Sequence, residues 1–187
     1  MDQKAIWDVS AHAIEYCDAN KIKYTSMMIS NGYHLSVAVA EKLKEMRVAR
    51  VQITLDGGEE IHDSRRHLTS GKGTFKRIIE NIKAVTERKL ISVSVRVNID
   101  GQNEKDARAV LDVLQENGLG IRNNVSVYFA PVESVAEASF GCNDCLSKTD
   151  YAEVESRLQL LAFEKGLMAL PKIPKFLGMC TAVKPIF

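Results

Sequence analysis

The chain has no uninterrupted apolar run of about 18 residues, which excludes a membrane-spanning helix. An excess of one charge sign is missing too. With 25 Lys and Arg against 24 Asp and Glu, the formal net charge of +1 gives no global attraction to nucleic acid or acidic lipid. Cysteine is scarce. Cys17, Cys142, Cys145 and Cys180 are too few for a disulfide-dense scaffold of 187 residues, so a reducing, cytoplasmic setting is expected. The opening MDQKAIWDVS is charged and amphipathic and carries no secretory signal pattern. What is present, 45% hydrophobic and 26% charged residues, is the composition of a globular domain long enough to bury a core.

Helix and strand patterns alternate. Ile6, Val9, Ala13 and Tyr16 recur at helical spacing within 3–19, and YTSMMIS at 24–30 reads as a strand ending at Asn31-Gly32. Leu35, Val39, Leu43 and Met46 mark a second helix, followed by a strand over 50–56 and a densely charged loop. Phe75, Ile78, Ile79, Ile82 and Val85 form the clearest helical stripe, with Thr74 as its expected N-cap. ISVSVRVNI at 91–99 is a third strand, Asn103 caps a helix that stops at Asn117-Gly118, and VSVYFA at 125–130 is a fourth strand. Asp150, with Glu153 three residues on, opens a last helix. Strands separated by helices predict repeated βαβ units and a parallel sheet, an α/β fold.

Strands of a parallel sheet covered on both faces should read as nearly continuous apolar runs. These do not. Val51, Ile53 and Leu55 alternate with Gln52, Thr54 and Asp56, while Val93, Val95, Val97 and Ile99 alternate with Ser92, Ser94, Arg96 and Asn98. Val125, Val127 and Phe129 likewise alternate with Ser126, Tyr128 and Ala130. Successive side chains point to opposite faces, so each strand packs helices on one side and presents polar groups on the other. A buried Arg96 or Asp56 without partners would cost several kcal/mol, so the polar face must be wet, paired or occupied. A two-layer sheet open to solvent satisfies this, and so does part of a (βα) barrel whose lumen holds a polar ligand. The barrel is preferred, because an exposed face would carry Lys and Glu more often than Ser, Thr and Asn.

ISNG at 29–32, VQITLDGGEEIHDSRR at 51–66, GKGTFKRIIENIKAV at 71–85 and SVRVNID at 94–100 together resemble consecutive landmarks of radical S-adenosylmethionine enzymes. The subgroup they are most similar to is that of anaerobic sulfatase maturases and related peptide-modifying enzymes with a SPASM extension. NDCLSKTDYAEVE at 143–155 and GMCTAVKP at 178–185 add a looser match to the segment leading into the SPASM cysteines. The resemblance implies a partial TIM-like barrel over 1–135, then a loop, helix and connector over 136–187. It implies S-adenosylmethionine at the strand C-terminal ends, chelating a [4Fe-4S] cluster and cleaved to a 5′-deoxyadenosyl radical. Carried over by motif, Asn31, Thr54, Asp56, Arg96 and Asn98 fall at cofactor-contacting positions, and Cys180 resembles the first SPASM cysteine, an auxiliary-cluster ligand.

The departure from the family is the absence of CxxxCxxC, the cysteines that hold the radical cluster. Either the chain is a piece of a longer enzyme, the preferred reading, or it is a degenerate homologue. On either reading no cofactor is expected to be bound to this chain alone, and the isolated chain should be inactive. The implied function is a portion of a radical enzyme that modifies a peptide or protein side chain, by formylglycine formation or thioether crosslinking. The alternative is a cofactor-free α/β interaction domain with a polar sheet face.

Other features carry less. Cys142 and Cys145 form one CxxC, whereas metal sites usually need a second pair, so plain loop cysteines are the simpler reading; Cys17 is read as core filler. His62 with Asp63 could be an acid/base pair, and His34 with His67 metal ligands, against a solvated, partly helical loop with Asp63 near Arg65 or Arg66. GKGT at 71–74 lacks the P-loop spacing and reads as a turn and cap. The basic cluster around it has no interleaved aromatics, so no nucleic-acid partner is expected.

Overall fold

The computed structural model describes residues 3–120, 122–132 and 145–169. Its elements run α1 (Gln3–Ala19), β1 (Ser26–Ser30), α2 (Val37–Glu45), β2 (Val48–Leu55), α3 (Glu59–Arg65), α4 (Phe75–Glu87), β3 (Ser92–Ile99), α5 (Glu104–Glu116), β4 (Val125–Pro131) and α6 (Lys148–Glu164). The strands form one parallel sheet in the order β1-β2-β3-β4. This is the expected α/β architecture, and it is similar to the partial TIM barrel of radical S-adenosylmethionine enzymes. Among the described residues no helix is long and apolar enough to cross a membrane.

The alternation in the strands does what period 2 requires. Val51, Ile53, Leu55, Val93, Val95, Val97, Val127 and Phe129 are buried in one continuous core with apolar side chains of α2, α4, α5 and α6. The stripe on α4 inserts Phe75, Ile78, Ile79, Ile82 and Val85 there, each burial contributing roughly 1.5–3 kcal/mol. After α6 the chain returns to the sheet, where Leu167 O accepts from Val127 N at 3.1 Å.

Several local expectations are revised. The charged loop contains a helix, α3, and Asp63 pairs with neither arginine beside it. Its Oδ1 instead accepts from Thr74 N (2.7 Å) and Phe75 N (2.9 Å), capping α4 from another element. Thr74 therefore supplies no cap; its hydroxyl donates to Arg66 O at 2.6 Å. The first-turn donors of α4 face this carboxylate, and a Cβ on Gly73 would lie 2.0 Å from Asp63 Oδ2, so GKGT is built around an acid. The last helix starts earlier than Asp150, because Ser147 is the N-cap and accepts from Asp150 N at 3.1 Å. α1 buries only Ser10; Val9 and Tyr16 of its apolar stripe are exposed, and Cys17 is half-buried rather than core filler. The register also reverses part of the reading of β1. Ser30 pairs with Ile53 and so shares the helix-packed face, while Ile29 pairs with Gln52 and joins the polar side.

Candidate functional site

Register brings the polar side chains into rows. Gln52, Ser94 and Ser126 form one, with Ser126 Oγ 3.4 Å from Ser94 Oγ, and Thr54, Arg96 and Tyr128 form the next towards the strand C-terminal ends. Neighbouring strands lie about 5 Å apart, so each row is one contiguous polar strip. Among the described residues Arg96 makes no ion pair. Its Nε donates to Asn98 Oδ1 at 2.9 Å, which holds the half-buried guanidinium in place.

Behind that row stands a closed network. Asp56, just past the end of β2, accepts from Arg66 through Nε and Nη2 and from Asn98 Nδ2 at 2.8 Å. Burial alone would raise the Asp56 carboxyl; Arg66 and Asn98 outweigh it and hold the group below its usual value. Asn103, buried to 1% exposure, ties the strand ends together. Its Nδ2 donates to Asp56 O (3.2 Å) and Asn98 O (2.8 Å), and its Oδ1 accepts from Asp100 N (2.9 Å). The expected side-chain cap by Asn103 is therefore not made. Arg65 closes the far side on Asp100 Oδ2 at 3.0 Å.

The structure thus gathers Thr54, Asp56, Arg96 and Asn98 at the C-terminal ends of β2 and β3. Asn31 stands apart; its Oδ1 accepts from Tyr33 N at 3.2 Å, and it makes no hydrogen bond to the other four. Cys180 and Cys142 lie outside the described residues. Asp56 is fully engaged by Arg66 and Asn98, so its chemistry is to brace Asn98 and through it Arg96. His62 and Asp63 are not an acid/base pair, since His62 Nδ1 accepts from Asp56 N at 3.4 Å and Asp63 caps α4. Two anchors escaped the sequence reading. Asn103 looked like a cap, and Asn81 sat unremarked within the α4 stripe. Asn81 Nδ2 donates to Gly32 O and Tyr33 O, both at 2.9 Å, fixing the loop after β1. An amide among apolar helix positions was the only signal for it.

The profile of the Radical SAM superfamily matches residues 6–114. Fe-coproporphyrin III synthase of Methanosarcina barkeri (strain Fusaro / DSM 804) is 32% identical over 91 residues, 49% of this chain and 22% of that protein. Among solved structures, native anSMEcpe with bound AdoMet superposes with a TM-score of 0.54 at 17% identity, covering 78% of this chain and 37% of that one. Native anSMEcpe with bound AdoMet and Cp18Cys peptide gives 0.58 at 18% identity, covering 78% and 38%. At such identities the likeness to the solved structures is one of fold. The chain spans less than two-fifths of the length of any of these three proteins.

Proposed function

The chain belongs to the Radical SAM superfamily, whose profile takes in residues 6–114 of its 187, and on that premise we propose that its polar sheet face holds the methionyl end of S-adenosylmethionine in an enzyme that modifies a peptide or protein side chain. The observation that carries the reading is Arg96. It is a half-buried cation without a carboxylate partner among the described residues, its Nε fixed on Asn98 and its row completed by Thr54 and Tyr128. Such a guanidinium suits a ligand carboxylate, because a charge-assisted bond in a partly desolvated site is stronger than a neutral one.

In this assignment Arg96 holds the carboxylate, Thr54 offers its hydroxyl, and Asn98 orients Arg96 while Asp56 holds Asn98. S-adenosylmethionine, when bound beside a reducing cluster, supplies hydrogen-abstracting radical chemistry. The described residues do not fit the cluster itself. They contain no group of three His, Cys, Asp or Glu that could hold a metal ion, and the sequence has no CxxxCxxC. The chain by itself is therefore expected to be inactive. A sulfatase-maturase-like reaction on a Cys or Ser side chain is supported by the fold shared with anSMEcpe, whose structures include peptide complexes. A second reading, a tetrapyrrole substrate, is favoured by the higher identity to Fe-coproporphyrin III synthase.

The test is calorimetric binding of S-adenosylmethionine to the whole protein. Arg96→Gln is expected to weaken it about ten-fold or more, the equivalent of one charge-assisted hydrogen bond. Unchanged affinity in a folded variant would overturn the assignment. Turnover of iron coproporphyrin but of no Cys- or Ser-containing peptide would replace the peptide reading with the tetrapyrrole one.

A further inference from the structure

A cavity of about 240 Å³ opens where the loops following β1 and β2 meet the start of α4. Its lining includes Asn31, Tyr33, His34, His62, Arg66 and His67, and no Asp or Glu. It lies on the helix side of the sheet: Ile78 borders it, and a Cβ on Gly32, beside Asn31, would touch both Ile53 and Ile78. It is therefore separate from the row of Thr54, Arg96 and Tyr128.

His62 is the decisive residue. It is completely buried. Its Nδ1 accepts from Asp56 N, so the ring proton sits on Nε2. Burial pushes the imidazole pKa down, against the opposing influence of Asp56 and Asp63, which keeps the ring neutral. Among the described residues nothing accepts from Nε2. The Phe75 ring packs edge-on with centroids 5.6 Å apart, but it offers no oxygen. An unpaired buried donor costs about 1–3 kcal/mol, so a native structure that keeps one needs a reason. The other polar groups have the same character. Arg66 uses Nε and Nη2 on Asp56, and Asn31 uses Oδ1 on Tyr33 N, which leaves Arg66 Nη1 and the Asn31 amide nitrogen as donors.

We propose that this cavity is a binding site for a small oxyanion, a carboxylate or a phosphate, with one oxygen accepting from His62 Nε2–H and the rest of its charge met by Arg66, His34 and His67. A single water is too small an occupant, since its share of liquid volume is about 30 Å³. A metal ion fits worse, because the buried imidazole presents a proton and no suitable ligand group exists among the described residues. The site goes beyond the S-adenosylmethionine reading, and either can fail without the other.

The chain contains four histidines, and the remaining one, His12, lies on α1 and serves as an internal control. Sodium phosphate, sodium acetate and neutral acetamide are titrated at constant ionic strength while the histidine ring signals are followed by NMR. The expected result is a saturable shift of His34, His62 and His67 with a common midpoint, for phosphate or for acetate. The tighter-binding anion identifies the source, and acetamide and His12 stay silent. His62→Leu removes the donor and is expected to weaken binding about ten-fold. His67→Ala, at an exposed position where folding is not at risk, is expected to weaken it about three-fold. Shifts that never saturate, that His12 shares, or that keep wild-type midpoints in a folded His62→Leu or in His67→Ala overturn the proposal.

Discussion

Asn103→Ala tests how the strand ends are held. The side chain is 1% exposed and makes three hydrogen bonds, to Asp56 O, Asn98 O and Asp100 N. At about 1 kcal/mol each, their loss should cost about 3 kcal/mol. In a chain of this size that lowers the melting temperature by about 6–12 °C. Asn103→Asp sharpens the test. It is nearly isosteric and still accepts from Asp100 N, but its second oxygen faces two carbonyls in place of the amide that donated to both. It should therefore be less stable than the alanine variant at pH 7, and the gap should narrow in acid, where the protonated carboxyl can donate again. Circular dichroism melts and urea titrations at pH 7 and pH 5 give the comparison. An alanine variant within about 0.5 kcal/mol of wild type, the usual scatter for a surface change, would refute the reasoning, as would an aspartate variant more stable than the alanine one.

The acid side of the stability curve follows from two groups with lowered pKa values. His62 lies below 6.5 and Asp56 below 3.8 when folded, so each contributes stability above its unfolded value that is lost as pH falls through its folded value. The urea midpoint should be flat from pH 8 to 7 and decline below about pH 6.5. A midpoint constant down to pH 5 would contradict the buried neutral His62. Gly73→Ala, whose Cβ would sit 2.0 Å from Asp63 Oδ2, should cost about 1–2 kcal/mol by displacing the α4 cap. Asp63→Ala should cost a similar amount and the double variant no more than either; additive losses in chemical denaturation would show the two are unconnected. Gly120→Ala would place a Cβ 2.3 Å from Lys165 O, and a loss of about 1–3 kcal/mol is expected from overpacking, against no change if the close approach is immaterial.

The Arg96 row was legible because period 2 is a local property: once 91–99 is a strand, Arg96 and Asn98 must share a face, and parallel register places Thr54 and Tyr128 beside them. Asn31 was harder, since a residue after a strand end is free to turn either way, and its Asx turn onto Tyr33 N moved it off that row. The caps failed as a group for one reason. Thr74 and Asn103 occupy cap positions, but the bonds go to or come from Asp63, Asp56 and Asn98, and contacts between residues 5 to 47 positions apart leave no spacing rule in the sequence.

By itself, then, the order of residues determined the alternating elements, the single buried face and the hydrophilic strips, because pleat and helix periodicity act on near neighbours. Only the tertiary structure decided which acid meets which base. Asp56 took Arg66, Arg65 took Asp100, Asp63 took the start of α4, and Arg96 was left without an ion pair among the described residues. Those choices depend on where loops from different strands converge, and three-dimensional proximity is not written in any local pattern.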